Sequence, residues 1–434
     1  MSLARRLLPL LAAAFLAAVP VARADKVVVK YRPGAHGLKA RAASTLASHT
    51  RVLHVNDSAA ALQRLRGRHD VVYAVPDVKA HIAGFIPNDP GRGTAPGGWA
   101  GVQWNFDGPF GVNAPDAWQN AFNAGDPGAR GVKVAVLDTG VAYADRGKYR
   151  RSPDLRTTKF VRGYDFVSHD RFPNDSNGHG THVASTIAEA TNNGIGLTGL
   201  AYNATIIPVR VLDDHGEGDA SDIAAGVRFA VRHGAQVINL SLEFSTDVTG
   251  NEIPELIDAL AYAHRKGVFL VGASGNEAHH AVAYPARARY VVSVGATTEH
   301  GCLSDFSNQG SGLDIVAPGG GADAVVDGDP NCHPGDPSGH DIFQMTLQGS
   351  AKDRRFGIPN GYEGTSMAAP HVSAVAALVI ATKVIGAHPT PGAIEERLKA
   401  TARDLGTPGP DQRYGYGLID AAAATAPVAP TTSG

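Results

Sequence analysis

The stretch VKVAVLDTG, residues 132–140, is an apolar run of strand length that ends on an aspartate and a Thr-Gly pair. Its hydrophobicity is almost unbroken, the pattern of a strand covered on both faces and therefore of a parallel sheet. Four more runs of this kind follow: TIIPVRVL (205–212), AQVINLS (235–241), GVFLVGAS (267–274) and YVVSVGA (290–296). Helical patterns lie between them, among them DASDIAAGVRFAVRHG (219–234) and IPELIDALAYAHRKG (253–267). Buried strands alternating with helices predict βαβ units and an α/β fold with a mainly parallel central sheet.

Outward from that core the chain changes character. Residues 1–24, MSLARRLLPLLAAAFLAAVPVARA, carry Arg5 and Arg6, an apolar run and an Ala22-x-Ala24 site, which predicts a signal peptide cut after Ala24 and export. Residues 25–100 read as a small α+β unit followed by a linker. KVVVKYRP and DVVYAVPDVKAHI form β-like runs around the helical DSAAALQRLRGRH, and the Gly- and Pro-rich segment 84–100 is expected to be exposed. Residues 101–424 form the main domain, and the Ala/Pro/Thr-rich 425–434 is expected to be a disordered tail. With 434 residues, 43% of them hydrophobic, the chain can bury a large core. A net charge of −2 without a basic run gives no sign of a nucleic-acid or anionic-membrane partner. No stretch after the signal reads as long enough to span a bilayer. The only two cysteines, Cys302 and Cys332, can form one disulfide in an oxidising compartment.

In open α/β sheets, sites gather at the carboxyl ends of the strands. Asp138 closes the first core strand, where it either caps the next segment or serves chemistry. In NGHGTHVASTIAEA (177–190), His179 stands where a loop becomes a helix and His182 lies three residues on. Zinc-binding helices space their histidines four apart with a Glu between; here the spacing is three, so a packed His182 is the simpler reading. Asn276 follows a buried strand in GVFLVGASGNEA (267–278), as a turn residue or an amide donor. Ser366 opens the apolar helix of GYEGTSMAAPHVSAVAALVI (361–380), as a helix cap or a nucleophile.

Taken together, VLDTGV, GHGTHVA, GASGNE and GTSMAAPHV, in that order, resemble the motifs of the subtilisin-like serine proteases. The resemblance runs over about residues 102–424 and includes GLTGLAYNATIIPVRVLD and YGYGLIDAAAA. It implies a three-layer subtilisin-like fold and a secreted serine endopeptidase acting on polypeptides. Asp138, His179 and Ser366 would then be the triad, and Asn276 the oxyanion donor. It also implies that the N-terminal unit is a propeptide, an intramolecular inhibitor that the enzyme removes itself, with 84–100 as the place for the cut. The mature enzyme is expected to be a monomer. EATNNGIGLTGL (189–200) resembles the family's calcium loop, with Asn193 as a side-chain ligand and carbonyl ligands from Thr191, Ile195 and Leu197. Asp154 and Gln103 complete that set of oxygen donors.

Substrate is expected to lie along NLSLEFS (239–245), beside Ser241, Leu242, Gly275 and Glu277. There the chain departs from the family, since Glu243 and Phe244 stand where glycines are usual. Carboxylates at 243 and 277 predict broad specificity with a modest tilt toward basic residues. Ser185 also stands where glycine is common, and 319–361 reads as a surface insertion. A catalytically silent binding protein is the alternative, although no triad member is missing. An α/β-hydrolase esterase is disfavoured because GTSMA is not G-x-S-x-G, and a dinucleotide enzyme because no G-x-G-x-x-G follows the first core strand.

Overall fold

The computed structural model describes residues 26–33, 42–47, 49–55, 58–77, 85–349 and 355–428. The signal-peptide expectation, residues 429–434 of the expected tail, and most of the stretch joining the two units lie outside them. Two compact units divide at residue 83/84. In the first, β1 (Lys26–Tyr31), β2 (Ala42–Ala47), β3 (Thr50–His54) and β4 (Val71–Pro76) make an antiparallel sheet in the order β2-β3-β1-β4. Helix α1 (Ser58–Arg66) covers one face, burying Leu62 and Leu65 with Val27, Val29 and Val71.

The second unit contains, in chain order, α2 (Trp104–Asp107), α3 (Ala114–Asn123), β5 (Lys133–Asp138), β6 (Lys159–Phe160), β7 (Tyr164–Asp165), α4 (His179–Ala188), β8 (Thr205–Arg210), α5 (Ala220–Arg232), β9 (Val237–Leu240), α6 (Pro254–Arg265), β10 (Phe269–Ala273), β11 (Val291–Thr297), β12 (Ile315–Pro318), β13 (Thr346–Gln348), β14 (Arg355–Gly357), α7 (Thr365–Thr382), α8 (Pro391–Thr401) and α9 (Ala421–Thr425). The large sheet runs β12-β11-β10-β9-β5-β8-β6, with β7 also on β8, and every pairing is parallel. All five apolar runs became strands of it. The period-two alternation of a strand divides β5 between two cores. Val134 and Val136 face α4 and α7, packing with Val183, Ile187, Val372 and Val375, whereas Ala135 and Leu137 face α5 and α6 with Val227 and Leu260. These are the three layers the sequence implied. Strand β5 lies between β8 and β9, and the order in which strands are added to the sheet reverses there, so a crevice opens at its carboxyl end.

Several expectations need correction. Residues 85–100 are only partly exposed: Ile86, Asn88, 92–96 and Ala100 face solvent, but Asp89 and Trp99 are buried, and the Trp99 indole donates to Pro87 O at 3.0 Å. The 319–361 segment is only partly superficial. Ile342, Gln344 and Thr346 are fully buried, and His182 Nε2 donates to Ile342 O at 2.8 Å. Residue 425 does not belong to a disordered tail: Thr425 ends α9, is buried and donates to Ala421 O. Among the described residues one helix, α7, is long and apolar enough to cross a bilayer, but 83% of it is buried inside the protein. Cys302 and Cys332 are joined as a disulfide.

Candidate active site

Asp138 is carried to the crevice by β5 and is fully buried. Its Oδ1 accepts from Thr139 N and lies 2.7 Å from His179 Nδ1. The other oxygen, Oδ2, has no hydrogen-bond partner. His179 is the first residue of α4, whose start is fixed by Asp175, a buried carboxylate that the sequence reading passed over. Asp175 accepts from the backbone N–H of Asn177, Gly178 and Thr181 and from the Thr181 hydroxyl, meeting the free N–H groups and positive end of the helix. Thr139 ties strand to helix by donating to Asp175 and accepting from Gly180 N. Gly180 itself is required by the approach, since a Cβ there would strike Gly140 O and come within 3.0 Å of the Asp138 side chain. The glycine between the two histidines thus lets the helix start come up against the strand end.

The His179 side chain is 26% exposed. Burial disfavours its charged form, but the Asp138 carboxylate, its hydrogen bond and the Asp175 charge outweigh that, and its pKa is raised above the ordinary value. His182 and His371 behave oppositely. Burial holds them neutral, at pKa values of about 3 and about 4. His182 stacks on the Tyr362 ring. His371 donates from Nδ1 to Met367 O and faces the Asn105 amide with Nε2. His182 is a packed residue, as its spacing suggested.

Ser366 is the second residue of α7 and shares a cleft of about 550 Å3 with His179, Ser241, Leu242, Glu243 and Phe244. Its hydroxyl donates to Ser241 O at 3.3 Å, and the Ser241 hydroxyl donates to Ser366 O at 2.8 Å. Leu212 and His215 to Gly218 also line the cleft, and no signal in the sequence pointed to them. Asn276 sits beyond β10. Its Oδ1 accepts from Thr365 N at 2.7 Å and from the Thr365 hydroxyl, which fixes the amide so that Nδ2 points away from the helix start. Nδ2 donates to Glu243 Oε1 at 3.0 Å, and the Asn276 backbone N–H donates to Glu243 Oε2 at 2.9 Å. Gly275 has φ +113°, and a Cβ there would collide with Glu243 Oε2 and the Asn308 amide. Gly275, Asn276 and Glu277 are not among the residues that line the cleft, which Asn276 meets through Glu243; the Glu277 carboxylate faces His279 at 3.4 Å.

The residues expected to bind calcium are brought together around Asp154, which is fully buried. It accepts from Asn193 Nδ2 at 2.7 Å and from Leu197 N at 2.9 Å. Gln103 bonds both backbone groups of Thr198, Thr191 bonds the Thr198 hydroxyl, and Ile195 N donates to Asn193 Oδ1. Two further buried carboxylates escaped the sequence reading. Asp89 accepts from Asn192 N and Asn193 N, and Glu189 accepts from Met345 N while its Oε2 has no partner. Burial raises all three acids above their ordinary pKa values, Asp154 to about 8. None of them forms an ion pair with a cationic side chain among the described residues. Uncharged oxygens and uncompensated buried acids are the donor chemistry of a hard cation. Even so, no group of three or more His, Cys, Asp or Glu among the described residues is arranged to hold a metal ion.

The Subtilase family model matches residues 129–417. Subtilisin Savinase of Lederbergia lenta is 38% identical over 73% of this chain and 98% of its own. A thermophilic serine proteinase of a Bacillus species is 35% identical over 76% of this chain and 68% of its own. Among solved structures, one of the proteases from Pseudoalteromonas arctica aligns with a TM-score of 0.63 and 32% identity, covering 79% of this chain and 99% of that one.

Proposed function

This chain belongs to the subtilase family of serine endopeptidases, and we propose that Asp138, His179 and Ser366 are its catalytic triad, with Asn276 as an oxyanion donor. The observation that carries this reading is the 2.7 Å contact of a fully buried Asp138 with His179, on a cleft that His179 shares with Ser366. Ser366 Oγ attacks the scissile carbonyl carbon as His179 Nε2 takes its proton. The oxygen becomes an anion facing Asn276 Nδ2, a donor worth about 3 kcal/mol where it has been removed in a subtilisin. The C–N bond then breaks, His179 returns the proton to the leaving amine, and water repeats the sequence on the acyl-enzyme to release the acid and restore Ser366. Asp138 accepts a hydrogen bond from Nδ1–H throughout and stays ionised. It keeps Nε2 free to act as base and favours the charged imidazolium, in line with the raised pKa of His179.

The substrate chain lies along 239–245, where the backbone beyond β9 can pair with an extended peptide. The first unit is the propeptide, an inhibitor removed by the enzyme itself, and the mature protein is an exported monomer. A calcium ion would be held by Asp154, Asn193, Gln103 and the backbone carbonyls of Thr191, Ile195 and Leu197, and it would offset the buried negative charge. Casein hydrolysis with and without a serine-directed sulfonyl fluoride, beside Ser366→Ala, tests the assignment. Wild type should be inhibited, and Ser366→Ala should lose activity by several orders of magnitude and keep its propeptide. Casein turnover by Ser366→Ala close to that of wild type would sink it.

A further inference from the structure

Glu243 stands at the edge of the cleft, and its carboxylate holds Asn276 at two points. That amide is fixed from behind by Thr365, so Nδ2 cannot turn away from Glu243 without breaking two further hydrogen bonds. In the resting enzyme an anion thus sits on the donor that the reaction needs for an anion. Glu243 has no ion-pair partner among the described residues; the neighbouring acid, Glu277, is engaged with His279 instead.

We propose that Glu243 is a latch on Asn276 that a cationic substrate side chain releases, so that the enzyme turns over fastest when Lys or Arg precedes the scissile bond. This rests on the proposed roles of Ser366 and Asn276. The oxyanion must come within about 2.9 Å of Asn276 Nδ2. Glu243 Oε1 is 3.0 Å from the same nitrogen. Carboxylate and oxyanion therefore lie within about 6 Å of each other. The residue whose carbonyl is attacked is the one whose side chain starts nearest to Glu243, and a Lys or Arg stem spans that distance. A cation there pairs with the carboxylate, draws it from Asn276 and cancels its repulsion of the oxyanion. A neutral side chain does none of these. Gly275 suits this arrangement, because any Cβ would occupy the place of the Glu243 carboxylate. One uncompensated charge at this separation, with the dielectric of a half-buried site, corresponds to a rate factor of ten to a hundred at low salt.

The test uses the self-processed wild-type enzyme and peptides identical except for Lys, Arg or Met before the cut, with kcat and KM measured at low and high ionic strength. The expected result is a Lys-to-Met ratio in kcat/KM of about tenfold or more, carried largely by kcat and contracting in high salt. Glu243→Gln removes the charge and keeps one of the two acceptors that hold Asn276. It should raise the rate on Met, lower that on Lys and bring the ratio to within about twofold. Glu243→Gly should give the same ratio and serves if Gln fails to fold. An unchanged ratio in an active variant, or a slower Met peptide, overturns the latch. A wild type that cleaves Met and Lys peptides equally also overturns it and leaves the protease assignment standing. A wild type that cleaves no peptide and ignores the sulfonyl fluoride removes that assignment, and the latch with it.

Discussion

Asp138→Asn separates a catalytic from a structural role for the most deeply placed member of the site. In the native enzyme Asp138 Oδ1 accepts from Thr139 N and faces His179 Nδ1 at 2.7 Å, while Oδ2 is buried without a partner. Asparagine preserves the shape and removes the charge. An amide N–H turned to His179 makes Nδ1 an acceptor, which puts the imidazole proton on Nε2 and blocks the base. A wrong tautomer of this kind costs about 10^4-fold in kcat, or about 5.4 kcal/mol in the barrier. The sign of the pH effect follows from the causes of the His179 shift. Burial lowers its pKa, and the Asp138 charge and hydrogen bond raise it further than burial lowers it. Without them the pKa falls, so the acid limb of the residual kcat/KM profile moves to lower pH. Stability should fall by no more than about 1–3 kcal/mol, because the same Oδ1 accepts from Thr139 N and faces His179 Nδ1, so an NH2 in its place leaves the buried Thr139 N–H without an acceptor. The assay is peptide hydrolysis from pH 5 to 9 on freshly folded protein, with a melting curve for each variant. A kcat within tenfold of wild type, or an acid limb that does not move, would refute the reasoning.

Three further outcomes are expected. If the loop around Asp154 binds calcium, chelator should lower the melting temperature of wild type, by the equivalent of about 2.7 kcal/mol from a starting point of 100 Kd, and should not alter that of Asp154→Asn; superimposable wild-type curves with and without chelator exclude the site. His371, held neutral to about pH 4 against an ordinary 6.5, leaves the unfolded chain binding more protons between those values, so stability is lost as pH falls through that window. From pH 7 to 5 the loss is about 2 kcal/mol. In a Ser366→Ala background His371→Gln should lack that part of the denaturant-midpoint shift, and an identical shift in both proteins contradicts it. The mature N-terminus should lie upstream of Asn88, because Asp89 and Trp99 are built into the second unit; N-terminal sequencing that finds a start at Gly101 or later opposes this.

The fold was legible because its signal is local. Five apolar runs and the helices between them each report burial within a few residues, and β5 needed no other information to be placed inside a sheet. The motifs around Asp138, His179, Asn276 and Ser366 were legible for a similar reason, since each lies at the end of such an element. What the sequence did not reveal is what depends on distant partners. Asp89, in a stretch dense with Gly and Pro, looks like loop composition. It is buried because the backbone of Asn192 and Asn193, more than a hundred residues on, supplies its donors. Ile342 looked like part of an insertion until the His182 ring was found against its carbonyl. Glu243 shows the same limit at the site itself. Its departure from glycine was visible in the sequence, but sequence alone suggested a charge beside a pocket. Its hold on both nitrogens of Asn276 comes from the packing of the segment after β9 against the turn after β10, thirty-three residues apart. A residue that departs from its family pattern at a strand end is therefore best read first for which catalytic donor it can reach, and only then for what it adds to the pocket.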